Sequence, residues 1–293
     1  MTVTNYDDAA NRSDSGSWPP PPEPLTVPVA DSHCHLDMSL DTKRFGPALD
    51  LTRALDLAAS VGVDRVMQIG CDIDGAQWAV EAANGDQRVL AGVALHPNEA
   101  PRLAGRDELG DGFAVIERLA AEERVRAIGE TGLDFFRTGP EGRGVQEESF
   151  RWHIDLAKRT GKALVIHDRD AHDDVVRVLL SEGAPDRVIF HCFSGGEDLA
   201  RTCADHGWVM SFAGTVTFKN ADGLRAGLQA APADLLLVET DAPYLTPTPF
   251  RGRPNASYLI PHTIRAMAQV KGVEVDDLCT AVDATTRRVF GSW

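Results

Sequence analysis

Eight times between Thr26 and Phe290 the chain runs apolar and extended for a few residues, then changes to apolar positions spaced three or four apart. Nothing else in the sequence constrains the fold as strongly, because strands that alternate with helix-length connections must lie parallel in one sheet. The extended runs are Val27 to His35, Arg65 to Cys71, Val89 to His96, Val125 to Leu133, Ala163 to His167, Val188 to Phe193, Trp208 to Phe212 and Leu235 to Thr240. Between them, Leu49-Thr52-Leu55-Ala59, Phe113-Ile116-Leu119-Ala120, Phe150-Ile154-Ala157 and Val175-Val178-Leu179 show the single buried stripe of surface helices. Eight strand-then-helix units over this length predict an α/β fold, a closed (β/α)8 TIM barrel in one domain spanning 26–293. An open doubly wound sheet is the competing architecture, and it would carry a glycine-rich phosphate turn after its first strand. This chain has His33-Cys34-His35 there instead.

The polar residues fall in one kind of place. The runs ending in His96, Glu130, His167, His191 and Asp241 are each apolar up to a side chain able to bind metal. In a barrel the carboxyl ends of all strands share one rim, so residues far apart in sequence meet over one mouth. His33 and His35, two apart at the end of the first strand, put both imidazoles on one face and Cys34 on the other. Singly each residue has an ordinary explanation: a capping Glu130, buried histidines bonded to carbonyls, or Asp241 as an N-cap before Pro243. Taken together, His33, His35, Glu130, His167, His191 and Asp241 offer four imidazoles and two carboxylates, an inventory that suits two divalent ions bridged by one carboxylate.

Composition narrows the rest. Residues 1–25, with the run Pro19-Pro20-Pro21-Pro22, hold few apolar side chains and read as a disordered tail. No signal-type segment or run of about 18 apolar residues is present, so a cytoplasmic protein with no membrane attachment is expected. Five cysteines, Cys34, Cys71, Cys192, Cys203 and Cys279, without a Cys-x-x-Cys pair read as reduced packing residues. Cys34 and Cys192 beside the ligands are expected to point away from the mouth. A net charge of −15 opposes broad coating of duplex nucleic acid, so any such contact must be local.

The motifs Asp-Ser-His-Cys-His-Leu-Asp (31–37), Gly-Glu-Thr-Gly-Leu-Asp (129–134), Ile-His-Asp-Arg-Asp-Ala (166–171), His-Cys-Phe-Ser-Gly (191–195) and Glu-Thr-Asp-Ala-Pro-Tyr-Leu (239–245) resemble those of the TatD family of metal-dependent deoxyribonucleases, within the amidohydrolase-like barrels. The resemblance runs from Val27 to Phe290. It implies that His33, His35, Glu130 and Asp241 hold one ion while Glu130, His167 and His191 hold the other. One departure lies after Arg253-Pro254-Asn255, where the family continues with Glu-Pro and this chain has Ala256-Ser257.

Around these residues, His96 in a His-Pro pair similar to the family's, Arg169, Arg251 and Arg253 are the expected substrate contacts, as guanidiniums at the rim suit a phosphodiester. Arg137 and Lys219 could equally be solvated loop charges, and Phe135 with Phe136 could stack a base or form a buried lid. His153, His172, His206 and His262 are expected at the surface or at caps. The expected activity is a metal-dependent phosphodiesterase, an exonuclease on single-stranded ends, in which Asp241 and Glu130 are catalytic and Asp241 takes the proton of an attacking water. Two divalent cations, Zn, Mn or Mg, are the expected cofactors, nucleic acid ends are the expected partner, and no obligate protein partner is expected. The alternatives are hydrolysis of esters or amides, such as D-aminoacyl links on transfer RNA, and a metal-bound scaffold without catalysis.

Overall fold

The computed structural model describes residues 17–39 and 49–293. Eight strands pair in parallel in the order of the chain: β1 (Val29–Cys34), β2 (Val63–Gly70), β3 (Val89–Val93), β4 (Val125–Asp134), β5 (Ala163–Arg169), β6 (Val188–Phe190), β7 (Val209–Phe212) and β8 (Leu236–Val238). Helices between successive strands cover the outside, making the expected TIM barrel. Local chemistry sets their limits. Asp50 caps the helix Leu51–Ser60 by accepting from the Arg53 amide at 2.8 Å, and Leu55 and Ala58 face the sheet. The long helix Pro140–Thr160 opens on a proline and ends at Gly161 in the left-handed conformation. Its inward stripe is Phe150, His153, Ile154 and Ala157.

The expected surface position of His153 is therefore corrected. It is fully buried, its Nε2 accepts from the Leu95 amide at 3.1 Å, and its Nδ1 donates to the Ser149 carbonyl at 2.7 Å. Both ring nitrogens are satisfied inside the core, which is what lets a polar ring sit there.

The barrel closes between β8 and β1 through bonds of another kind. Asp31 accepts from the Thr240 amide at 2.9 Å and from the Thr240 hydroxyl at 2.5 Å. Just beyond, the Asp241 amide donates to the His33 carbonyl at 2.9 Å and the His35 amide to the Ala242 carbonyl at 2.8 Å. This seam lies directly under the mouth.

Of the expected tail, residues 1–16 lie outside the described residues. Ser17 to Leu25 is corrected from tail to part of the fold. Trp18 packs on Tyr258 with ring centroids 6.4 Å apart, Leu25 is buried, and its amide donates to the Val61 carbonyl at 3.0 Å. Arg253, Tyr258 and Arg265 donate to the carbonyls of this stretch. An extended proline run leaves its carbonyls free to accept and has little chain entropy to lose, so few apolar contacts suffice to order it. Among the described residues no helix is long and apolar enough to cross a membrane.

Candidate metal centre

The carboxyl ends of the strands bring the six expected ligands together. His33, at the end of β1, and His35, just past it, meet edge to face at 5.0 Å with their Nε2 atoms 3.3 Å apart. Cys34 between them turns outward to the Met67 carbonyl. The His35 Nδ1 lies 2.9 Å from the Ile69 carbonyl. A carbonyl only accepts, so Nδ1 carries a proton, and the nitrogen left to offer a metal its lone pair, on losing any proton of its own, is Nε2 at the mouth. That nitrogen faces Asp241 Oδ1 at 3.3 Å and Glu130 Oε1 at 3.6 Å.

Glu130 is the centre of the cluster, and β4 is shaped to deliver it. Along β4 and β5 the register passes from Ile128 opposite Leu164 to Thr131 opposite Ile166, three steps against two. Such a bulge re-aims a side chain out of the regular alternation. Gly132, at φ +135°, makes it possible: a Cβ there would lie 2.1 Å from the His167 carbonyl oxygen. Glu130 Oε2 then lies 2.6 Å from His191 Nε2 and 3.1 Å from His167 Nδ1, while Oε1 lies 3.9 Å from both His33 Nε2 and His96 Nε2.

Two further carboxylates stand behind the imidazoles. Glu239 Oε1 is 3.3 Å from His191 Nδ1 and accepts from the Cys192 amide at 2.7 Å. Asp134 Oδ2 is 3.2 Å from His167 Nε2 and accepts from Asn98 at 2.9 Å. Carboxylates in this position orient ligating imidazoles and raise their basicity.

This arrangement fits divalent cations. Bonds of about 2.0–2.1 Å at tetrahedral angles place neighbouring donor atoms about 3.3 Å apart. Around His33, His35 and Asp241 the separations are 3.3, 3.3 and 3.9 Å. The surroundings divide the rings between neutral and protonated forms. Burial, reinforced by His191, holds His33 well below the ordinary imidazole range, and burial pushes His96 down to about 3. Burial alone would raise Glu130, but His191, His96 and His167 outweigh it and hold the carboxyl well below its ordinary range. Burial alone would lower His35, His167 and His191 too, but Cys71 and Asp241 at His35, Asp134 and Glu130 at His167, and Glu130 and Glu239 at His191 outweigh it and raise them. These three rings would give up a proton to a metal, while His33 and Glu130 need lose none.

Above the ligands opens a cleft of about 660 Å³. His96, Arg137 and Arg169 line it, and the Arg169 guanidinium sits 3.9 Å over the ring of Phe136, which is 63 % exposed. Arg251 and Arg253 do not line it. Arg251 stacks over Phe218 at 4.2 Å, and Arg253 is corrected from substrate contact to internal tie, with its donors on Ser17 and Trp18. Lys219 also lies off the cleft, and Phe135 is half-buried beneath Arg143. His172 pairs with Asp168 at 2.7 Å, and His206 stacks on Trp208.

Cys192 is a further correction. It lies past the end of β6 at φ +43°, where strand alternation no longer applies, and it lines the cleft. Cys71, read from sequence as packing, also lines the cleft with Sγ 3.2 Å from Glu130 Oε1. It follows an apolar run as the ligands do, so that signal was present. Asp134 and Glu239 stand inside motifs already singled out, each a few residues from a ligand.

The sequence model of the TatD related DNase family matches residues 30–291, a span holding all six convergent side chains. The chain belongs to the TatD family of metal-dependent hydrolases. It is 46 % identical over 270 residues to the uncharacterized metal-dependent hydrolase TatD of Mycobacterium tuberculosis, covering 90 % of this chain and 98 % of that one. It is 35 % identical over 264 residues to the uncharacterized metal-dependent hydrolase YcfH of Escherichia coli K12, covering 89 % and 95 %. Among solved structures, the TatD homologue YjjV of Escherichia coli shares the fold with a TM-score of 0.81 at 24 % identity, over 89 % of this chain and 97 % of that one. The TatD family barrel is thus shared nearly end to end, while the segment before residue 30 lies outside the family match.

Proposed function

We propose that this TatD-family hydrolase cleaves phosphodiester bonds at single-stranded nucleic acid ends, using two divalent cations. One would be held by His33, His35, Glu130 and Asp241 and the other by Glu130, His167 and His191. The observation that carries the reading is the convergence of imidazoles from four strand ends on the single carboxylate Glu130, beneath a cleft edged by guanidiniums and an exposed aromatic ring. When bound, the cations supply Lewis acidity that acidifies water and offsets charge on phosphoryl oxygens. An imidazole-rich donor set suits zinc or manganese.

The chain's own residues supply the rest. Asp241 lines the cleft on the β8 side, and with Oδ1 turned to His33 and His35 its other carboxylate oxygen accepts the proton of the attacking water. Arg169, held flat by Phe136, offers paired donors to a non-bridging phosphate oxygen, and Arg137 extends the positive edge. Phe136 and Tyr244 present faces on which a terminal base can stack without regard to sequence. In a chain of net charge −15, this confines the attraction for a polyanion to the mouth.

The test is metal analysis of the purified protein together with cleavage of 3′- and 5′-labelled single strands and of a D-aminoacyl-tRNA. Metal-dependent release of nucleotides from one end is the expected result. Ester hydrolysis without strand cleavage would move the activity to aminoacyl links, and stoichiometric metal with neither activity would leave a scaffold.

A further inference from the structure

We propose that Arg253 is a positioning residue, which anchors the loop after β8 to the strap Ser17–Pro24 and thereby sets the grip of the mouth on its substrate. The loop from Asp241 to Ala256 brings Tyr244 and Leu245 to the cleft. Asp241 and Leu245 hold φ values of +53° and +59°. Side chains with a Cβ disfavour that conformation, and it persists only where the surroundings over-determine it.

Inside the loop the Tyr244, Phe250 and Arg253 amides close local turns onto the Asp241, Pro247 and Phe250 carbonyls, and the Thr248 amide reaches the Thr217 hydroxyl at 2.8 Å. Asn255 donates to the carbonyls of Thr240 and Tyr244, and the Thr246 hydroxyl donates to the Arg253 carbonyl at 2.6 Å. These bonds tie the two legs of the loop to each other. Arg253 then ties them to the barrel wall. Its Nε donates to the Ser17 carbonyl at 3.0 Å, and its Nη2 to the Ser17 hydroxyl at 2.9 Å and the Trp18 carbonyl at 2.6 Å. The strap is fixed in turn, since Trp18 packs on Tyr258, Tyr258 donates to the Pro19 carbonyl at 2.6 Å, and Arg265 donates to the Glu23 and Pro24 carbonyls. Donors carrying a charge make the stronger hydrogen bonds, and the planar fork of Arg253 reaches two successive residues where a lysine would reach one point. The strap precedes residue 30, where the family match begins. Arg253 itself lies inside that match, so the anchor joins a residue of the shared barrel to a segment before it.

The effect on substrate rests on the phosphodiesterase reading, whereas the anchoring does not, and the experiment separates them. Hydrogen exchange over residues 242–255 and steady-state kinetics on a labelled single strand are measured for wild type, Arg253→Ala, Arg253→Lys and deletions of residues 1–16 and 1–20. In Arg253→Ala and the 1–20 deletion, loop amides exchange about tenfold faster, while KM rises about tenfold with kcat within about twofold. Arg253→Lys falls between, and the 1–16 deletion matches wild type. Unchanged loop exchange in both Arg253→Ala and the 1–20 deletion overturns the proposal, as does a fall in kcat at constant KM. If wild type cleaves no strand, the phosphodiesterase reading fails and loop exchange still decides the anchor.

Discussion

Asp241 differs from the other convergent side chains in having two duties, one toward metal and one toward a proton. Asp241→Asn keeps the shape and one oxygen, so metal content should survive while strand cleavage falls by roughly 10²–10⁴-fold. Near-normal cleavage in that variant, with metal stoichiometry measured beside it, removes Asp241 from the mechanism. His191→Ala should instead lose about one of two ions, because His191 shares only Glu130 and His167 with the second position. Away from the mouth, His153 gives the fold a pH dependence. An imidazole at its ordinary value titrates near 6.5, and burial pushes His153 down to about 4. Between those values the unfolded chain binds a proton that the native one refuses. Stability is whole above about pH 6.5 and declines as pH falls toward 4, by up to roughly 3 kcal/mol. In urea titrations at pH 7.5 and 5, His153→Gln should show a smaller loss than wild type, and an equal loss would refute the assignment. At this scale the sequence marked residues that close a run of apolar neighbours. It could not mark Arg253, because a guanidinium that serves a carbonyl reads the same as one that serves a phosphate.

Among the elements, strand order and helix stripes were legible because burial imposes periods of two and 3.6. The strand limits differ from expectation by a few residues, and the instructive differences lie at the rim. The bulge in β4 and the left-handed residues Cys192 and Asp241 depart from regular alternation, so a period-two reading misplaced Cys192. The loop after β8 leans on the short turn Gly214–Thr217, where a Cβ at Gly214 would lie 2.2 Å from the Leu245 carbonyl oxygen and 3.0 Å from the Pro247 nitrogen. Both neighbours are backbone and cannot rotate aside. Gly214→Ala should therefore cost roughly 1–3 kcal/mol in stability and shift the loop. Calorimetry on the variant checks this, and an unchanged Tm with wild-type kinetics would show that the loop yields freely.

For the whole molecule, burying so many imidazoles and carboxylates together makes the fold dependent on what they bind. Metal present at about a hundred times its dissociation constant contributes about 2.7 kcal/mol, so chelation should lower Tm by roughly 5 °C. A chelated protein shown to be metal-free yet melting unchanged would mean that the cluster is not a metal site. The one-barrel plan was legible from the chain alone. The role of Ser17–Leu25 was not, since a proline run docks through its carbonyls, which every sequence shares. The seam between β1 and β8 has a further consequence in the order of synthesis. His33 and His35 are among the first barrel residues made and Asp241 among the last, yet they lie within 4 Å of each other across the closure. A nascent chain cannot assemble that ligand set until its eighth strand has left the ribosome, so a product cut short before Leu236 carries its histidines and never completes the site.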